Sequence, residues 1–254
     1  MEPTNQFSNL VEIVKILRKE CPWDRKQTHE SIKDNLIEEA YEAVEAIDQQ
    51  DFEELKKELG DLLLHVVFHS NIASETDTFT IEEVIHTIQE KLIRRHPHVF
   101  GDESAEDERQ VAENWETIKL KEGKASVLDG IPVRLPALIR AQRMQEKAAN
   151  VGFDWPKAEQ VWEKLDEELQ EMRKALDSGD LQESRGEFGD LLFSLVNLGR
   201  YFRLDAEDAL RLTNRKFERR FRYVEEHLEK EGVDLGEATL EQMDQYWEQS
   251  KSGT

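Results

Sequence analysis

Apolar side chains recur every three or four residues through most of the chain, which is the spacing of one face of an α-helix. The first such run predicts an amphipathic helix that ends before Pro22, with Phe7, Leu10, Val11, Val14 and Leu17 at helical spacing. A later run begins at a Thr80–Glu83 capping box and predicts a helix with Ile81, Val84, Ile85, Ile88 and Leu92 turned inward. No segment alternates as a strand does, so the sequence predicts an all-α protein.

Two helical hairpins are predicted from turn chemistry that occurs twice. Asp51 and Asp180 each have a glutamate three positions on, the pattern of a helix N-cap, and Gly179 is a typical helix stop. The first hairpin covers about residues 30–72, and its counterpart lies 129 residues later. The sequence thus contains an internal repeat.

The repeat divides the chain into two predicted domains. Residues 121–136 contain two glycines, two prolines and no apolar period, so they are predicted to link residues 1–120 to residues 137–254. Further helices are predicted over about 111–120, 135–149 and 206–230. Each domain should therefore be a small helical bundle.

Acidic residues occupy matching positions in the two hairpins. The first hairpin carries Glu38, Glu39, Glu42, Glu58 and Asp61. At a constant offset of 129 the second carries Glu167, Glu168, Glu171, Glu187 and Asp190. Residues three apart share a helix face, and the turn sets the two acidic pairs at about the same height on antiparallel helices. The carboxylates should converge on one seam.

Converging carboxylates repel each other unless a cation lies between them, and Mg²⁺ prefers such oxygen ligands. The duplication favours a metal site over an ordinary solvated acidic face. A di-iron bundle would need a Glu-x-x-His pair on each of two helices. The sequence offers that spacing at Glu83 and His86, outside both hairpins. A binding or regulatory bundle without catalysis stays open, above all for the first copy.

Composition narrows the class of protein further. The 254 residues carry a formal net charge of −22, which argues against general binding to nucleic acid. The single cysteine, Cys21, excludes an intrachain disulfide. The most apolar run is too short to span a bilayer, and the first residues are polar, so we expect no membrane association and a cytoplasmic protein.

Cations cluster on the predicted helix over 206–230, where Lys216, Arg219 and Arg220 fall within one turn. They are either ordinary surface charge or a clamp for the outer phosphates of an anion held by the metal. In the first copy, Arg94 and Arg95 precede His96-Pro97, so that helix is ending and its cations should be less fixed. Catalysis is therefore expected mainly in the second copy of the repeat.

The motifs EEAYE…ELGD, EELQE…EFGD, CPWD, RRHPHVFGD, VGFDW and NRKFERRF together resemble the MazG family of tandem-domain nucleoside triphosphate pyrophosphohydrolases over nearly the whole chain. The resemblance implies a homodimer and Mg²⁺-dependent hydrolysis of an NTP or dNTP to the monophosphate and pyrophosphate. It implies that the Mg²⁺ ligands are Glu168, Glu171, Glu187 and Asp190, and that the nucleotide contacts are Lys164, Glu167, Lys216, Arg219, Arg220 and Trp247.

Two further positions bear on the proposed chemistry, one as a candidate base and one as a departure from the family pattern. Glu167, beside the implied ligands, is a candidate base for the attacking water. Glu183 stands where some members of the family carry a lysine, so a phosphate contact from that position is in doubt.

Overall fold

The computed structural model describes residues 2–101, 104, 110–111 and 126–252. Every regular element in these residues is a helix, which confirms the all-α prediction. The chain separates into two compact units, Met1–Ser104 and Ala105–Thr254. Residues 112–120 of one predicted helix and 121–125 of the predicted linker lie outside the described residues, so those bounds stay predictions.

The first unit is built around a helical hairpin. Its helices are α1 (Phe7–Glu20), α2 (His29–Gln49), α3 (Phe52–Ser74), α4 (Ile81–Arg95) and the short α5 (Pro97–Phe100), with a 3₁₀ turn at Asp24–Lys26. Helices α2 and α3 form the hairpin, and α1 and α4 pack on α3. The Thr80–Glu83 capping box is present, since each residue's side chain accepts a hydrogen bond from the other's backbone N–H.

The core of the first unit lies where α1, α2, α3 and the start of α4 meet, and it consists of Val11, Val14, Ile32, Val67, Phe68, Ile72 and Ile81. Val84 and Ile85 pack against its edge, as the helical period predicts. Ile88 and Leu92, also expected to turn inward, are exposed because α4 packs on α3 mainly near its own start. The helical period thus predicts the apolar face of α4 correctly, but it does not show how much of that face is buried by other helices.

The second unit repeats this order of elements. Its helices are α6 (Ala137–Ala149), α7 (Ala158–Ser178), α8 (Leu181–Tyr201), α9 (Ala206–Lys230) and α10 (Leu240–Ser252). Helices α7 and α8 form the hairpin, α6 and α9 pack on α8, and α10 packs on α9. Helix α7 begins and ends 129 residues after α2, so the structure preserves the offset of the sequence.

The hairpin turns explain why the acidic residues of neighbouring helices face each other. Asp51 Oδ1 accepts a hydrogen bond from Glu54 N at 3.0 Å, and Asp180 Oδ1 accepts one from Glu183 N at 3.2 Å. The residue before each aspartate is left-handed, with φ of 57° at Gln50 and 76° at Gly179. The predicted caps and the predicted glycine stop are confirmed.

Each hairpin also leaves an apolar ridge exposed along its second helix. The ridge residues follow the i, i+4, i+7 spacing of one helix face. On α3 they are Leu59, Leu63 and Val66, and on α8 they are Phe188, Leu192 and Leu195. The two sets are again 129 residues apart, so the exposed ridge is a property of the repeat.

Candidate metal and nucleotide site

Three acids of the second hairpin meet at one point. Glu168 and Glu171 lie one turn apart on α7, and Glu187 faces them from α8. One carboxylate oxygen from each lies within 4.8 Å of the other two, and Glu168 is buried. The Asp180 cap sets the height at which the helices pass each other, so the turn chemistry positions these oxygens.

Asp190 lies beside this group rather than within it. Burial raises the pKa of Glu187, and the negative charges of Glu171, Asp190, Glu168 and Glu183 raise that pKa further. Glu183, which stands in place of a lysine, therefore adds negative charge at this end of the hairpin. The carboxylates are close enough to oppose each other's ionisation, which is the electrostatic condition of a cation site.

Lys164 supplies a positive charge to the second hairpin. Its Nζ lies 2.6 Å from Glu168 Oε1 and 3.0 Å from Glu167 Oε1. Hydrogen bonds to Glu168 and Glu167 raise the pKa of Lys164, so the lysine stays charged. The buried carboxylate of Glu168 is thus paired. The i, i+4 spacing of Lys164 and Glu168 is the sequence signal for this ion pair.

The first hairpin carries a related group with a different balance of charge. Oxygens of Glu39, Glu58 and Asp61 lie within 4.8 Å of one another, with Glu42 close by. Burial raises the pKa of Glu58 to about 7, helped by the charge of Glu42 and a hydrogen bond with Glu54. Glu38 is exposed.

No lysine stands in the first hairpin at the position equivalent to Lys164. Subtracting the repeat offset of 129 from 164 gives Asn35. Glu39, the counterpart of Glu168, therefore has no i−4 cation on its own helix. The two acidic groups are alike in geometry and differ in their counter-charge.

The predicted basic cluster lies in the middle of α9. Lys216 and Arg219 are exposed, and the Arg220 guanidinium lies 5.9 Å from the centroid of the Trp247 ring. Trp247 also contacts Phe217, with ring centroids 5.2 Å apart. Helix α9 packs on α8, but the described contacts of these three cations do not include the acidic group.

The equivalent cations of the first unit lie at a helix end. Arg94 and Arg95 are in the last turn of α4, which ends at Arg95, and His96-Pro97 follows. The predicted helix end is confirmed. Helix α9, in contrast, continues for ten residues beyond Arg220.

A cavity of about 500 Å³ opens next to the acidic group of the second unit. It lies between α6, the loop over residues 150–156, α7 and α8, and its lining includes Lys164, Gln145, Phe153, Trp155, Phe193 and Asn197. Lys164 therefore contacts both the cavity and Glu168. The motif VGFDW identifies this loop in the sequence, but no spacing along the chain assigns the loop and Asn197 to a shared cavity.

The first unit has a buried phenylalanine where the cavity wall has Asn197. Phe68 is the counterpart of Asn197 at the repeat offset, and it belongs to the core of its unit. The guanidinium of Arg18 lies 5.5 Å from the Phe68 ring centroid. That guanidinium is held by Glu75 at 2.6 Å and by the backbone oxygen of Gln27 at 3.0 Å. In the first unit a buried aromatic ring and a paired guanidinium thus occupy the place of the cavity wall that carries Asn197.

These features define a class of protein: an all-α chain with two copies of a carboxylate-bearing helical hairpin, one of them beside a ligand-sized cavity. The profile of the family described as MazG nucleotide pyrophosphohydrolase domain matches residues 27–100 and 157–225. Both segments contain one hairpin with its acidic group. The chain belongs to the MazG family, which confirms the resemblance seen in the sequence motifs.

Full-length relatives support this membership. The chain is 52% identical to the nucleoside triphosphate pyrophosphohydrolase/pyrophosphatase MazG of Thermotoga maritima, over 97% of this chain and 96% of that protein. It is 45% identical to the nucleoside triphosphate pyrophosphohydrolase of Escherichia coli K12, over 97% of each chain. None of the described helices combines the length and the apolar character that crossing a bilayer requires.

Proposed function

We propose that the chain hydrolyses nucleoside and deoxynucleoside triphosphates, with Mg²⁺, to the monophosphate and pyrophosphate, mainly at the second hairpin. Relatives of nearly equal length are named for nucleoside triphosphate pyrophosphohydrolysis. The observation that carries the choice of hairpin is Lys164, which joins the acidic group to a cavity of ligand size. A nucleotide could place its phosphates at the acids and its nucleoside in that cavity.

The donor set fits Mg²⁺. Hard divalent cations take carboxylate oxygens, and Glu168, Glu171, Glu187 and Asp190 would hold the ion. When bound, Mg²⁺ supplies charge neutralisation at the phosphate oxygens and a bound water of lowered pKa. Without metal, burial and the neighbouring acids raise the pKa of Glu187, and a bound cation would lower that pKa again.

The remaining groups have separate roles in this proposal. Hydrolysis adds water across the bond between the α- and β-phosphates and releases the monophosphate, pyrophosphate and one proton. Glu167, exposed beside the acidic group, would receive that proton, and its side chain is held by Lys164 at 3.0 Å. Lys216, Arg219 and Arg220 would neutralise the leaving pyrophosphate, and Trp247 holds Arg220 by its ring face.

The preference for the second hairpin rests on three differences between the units. Lys164 has no counterpart at Asn35, and Phe68 occupies the equivalent of the cavity wall. Helix α9 carries its cations in mid-helix, whereas α4 ends at Arg95. Cations on a continuous helix are better preorganised for transition-state charge. A non-catalytic, metal-binding role for the first hairpin follows from the same differences.

We also propose that the protein is a homodimer whose interface includes the exposed ridges. Leu192 lies in the middle of the α8 ridge, and a hairpin needs a second layer to cover such a face. The chain's strong negative charge makes the uncharged ridges the surfaces on which two copies can approach. Sedimentation of Leu192→Glu together with Leu63→Glu should show monomers if the ridges form the interface.

Product analysis tests the proposed reaction. Purified protein is incubated with each common NTP and dNTP in Mg²⁺, with and without EDTA, and the products are separated by ion-exchange chromatography. We expect equal amounts of monophosphate and pyrophosphate, and no turnover with EDTA. A nucleoside diphosphate and inorganic phosphate as first products would contradict the proposed position of the cut, and full activity in EDTA would contradict the metal.

A further inference from the structure

A glutamine that lines the cavity of the second unit has a buried acceptor that the described residues do not satisfy. Gln145 is 7% exposed, and its Nε2 donates to the backbone oxygen of Phe193 at 2.8 Å. That bond fixes the orientation of the amide, because a carbonyl oxygen can only accept. Gln145 Oε1 is then left buried with no partner among the described residues. An unsatisfied buried acceptor destabilises a fold unless water or a ligand supplies a donor.

The other walls of the cavity suit a flat, aromatic ligand. Phe153, Trp155 and Phe193 line it. Phe153 and Trp155 are exposed, which is unusual for two neighbouring large aromatic side chains and typical of a binding surface. Aromatic walls with a few fixed polar groups are the common composition of small-molecule sites, and nucleobases stack on such side chains.

The aromatic loop is held in place by an ion pair. Asp154, between Phe153 and Trp155, accepts hydrogen bonds from the Arg200 guanidinium, including one from Nη1 at 3.0 Å, and another from Trp155 N at 2.8 Å. Arg200 Nε also donates to Asn197 Oδ1 at 3.0 Å. Burial alone would raise the pKa of Asp154, but the bonds to Arg200 lower it, so the pair stays ionised. The loop therefore presents a preorganised wall.

We propose that this cavity is the nucleobase pocket of the second hairpin and that Gln145 Oε1 accepts a hydrogen bond from an N–H group of the base. The inference rests on the proposed function, since it assumes that the phosphates lie at Glu168 and Lys164. All four common bases carry at least one N–H donor on their pairing edge. The pocket thus recognises a base by a feature that the common bases share, and it should tolerate purines and pyrimidines.

The recognition can be tested with a substrate that differs from ATP by one donor. Purine riboside 5′-triphosphate lacks the amino group of adenine and has no other N–H on the base. We expect its kcat/KM to be roughly tenfold below that of ATP, because Gln145 Oε1 is left unpaired. In Gln145→Met, which preserves volume and removes the acceptor, the two substrates should become nearly equal. An unchanged tenfold ratio in this variant would overturn the inference.

Gln142→Met is the matched control. Gln142 lies one turn earlier on α6, and its amide is satisfied within the protein by Ala206 N at 3.2 Å and Glu146 at 3.1 Å. Any loss of stability from removing a helix glutamine should affect both variants. We expect Gln142→Met to keep the preference for ATP, and a loss of the preference in both variants would contradict a specific role of Gln145.

A binding measurement separates this inference from the proposed function. Trp155 fluorescence is followed, as the difference between the wild type and Trp155→Phe, while α,β-methylene ATP or inorganic triphosphate is added with Mg²⁺. We expect the nucleotide to quench Trp155 and the triphosphate to leave it unchanged. Quenching of Trp155 by the nucleotide without turnover of any NTP would contradict the proposed function but support the nucleobase pocket. Turnover without quenching at saturating nucleotide would keep the function and contradict the pocket.

Discussion

We expect the metal binding proposed for the first unit to depend on pH through Glu58. Burial raises the pKa of Glu58 to about 7, and the Glu42 charge and Glu54 hydrogen bond act in the same direction. A carboxyl group must be ionised to bind a metal ion, so protons compete with Mg²⁺ at this group. Without metal, Glu58 is mostly protonated below pH 7, and above pH 7 it is mostly ionised and available to the ion.

The size of the effect follows from the pKa. With a pKa of about 7, roughly ten in eleven Glu58 side chains are protonated at pH 6 and about one in eleven at pH 8. The apparent dissociation constant for Mg²⁺ should therefore rise about tenfold from pH 8 to pH 6. A glutamate with an ordinary pKa would change that constant by only about 3% over the same range.

Isothermal titration calorimetry with Mg²⁺ at pH 6, 7 and 8 measures this change. The titration is made in a Glu171→Ala background, which removes an acid from the second group so that the first dominates the signal. Adding Glu58→Gln should weaken binding and abolish the pH dependence. A dissociation constant that stays the same between pH 6 and pH 8 in the Glu171→Ala protein would refute the reasoning.

The raised pKa of Glu58 also determines how the stability of the metal-free protein changes with pH. The folded chain keeps the proton of Glu58 at pH values where the unfolded chain, with an ordinary pKa near 4.5, has released it. Glu58 therefore contributes stability below pH 4.5, and that contribution is lost as the pH rises through 7. Thermal melts in EDTA should show the wild type falling relative to Glu58→Gln over this window.

Three further predictions concern the hairpins. Glu168→Gln should remove most NTP hydrolysis and Glu39→Gln should leave most of it, as measured by pyrophosphate release, and the reverse pattern would move the active site to the first hairpin. Lys164→Met should lower metal-free stability by roughly 1 kcal/mol, because it leaves the buried Glu168 unpaired, and Mg²⁺ should restore part of this loss in denaturant titrations. Gly179→Ala should cost about 1 kcal/mol through its left-handed φ, with open space for the methyl group, whereas Gln50→Gly should stabilise slightly in the same melts.

Local signals made most of the fold predictable from the sequence. A helix cap depends on residues within one helical turn, so a few side chains determine it. The caps at Asp51 and Asp180 and the stop at Gly179 are of this kind. The convergence of the acids follows from those turns and from the helical rise. The end of α4 before Pro97 is equally local.

Features that depend on packing between distant elements were not predictable. Gln145 becomes a cavity wall because α6 lies on α8, and no spacing within α6 indicates this. The exposure of Ile88 depends on how far α4 extends past its contacts with α3. Asp190 lies beside the three closest acids of its hairpin, whereas Asp61 is one of the three in the first hairpin. This difference in side-chain placement is not visible in the sequence, where the two sets of acids match.

The placement of each acidic group within a single hairpin also bears on how the chain folds. Glu187 lies only 19 positions after Glu168, and the Asp180 turn between them closes a short loop. Contacts between near neighbours in sequence form early in folding. The acidic group proposed to bind Mg²⁺ thus depends on two helices meeting and requires neither the α6 contact nor the α9 contact. A cation that binds this hairpin while the remaining helices are still unpacked would accelerate folding, whereas the cavity, which needs α6, would be completed last.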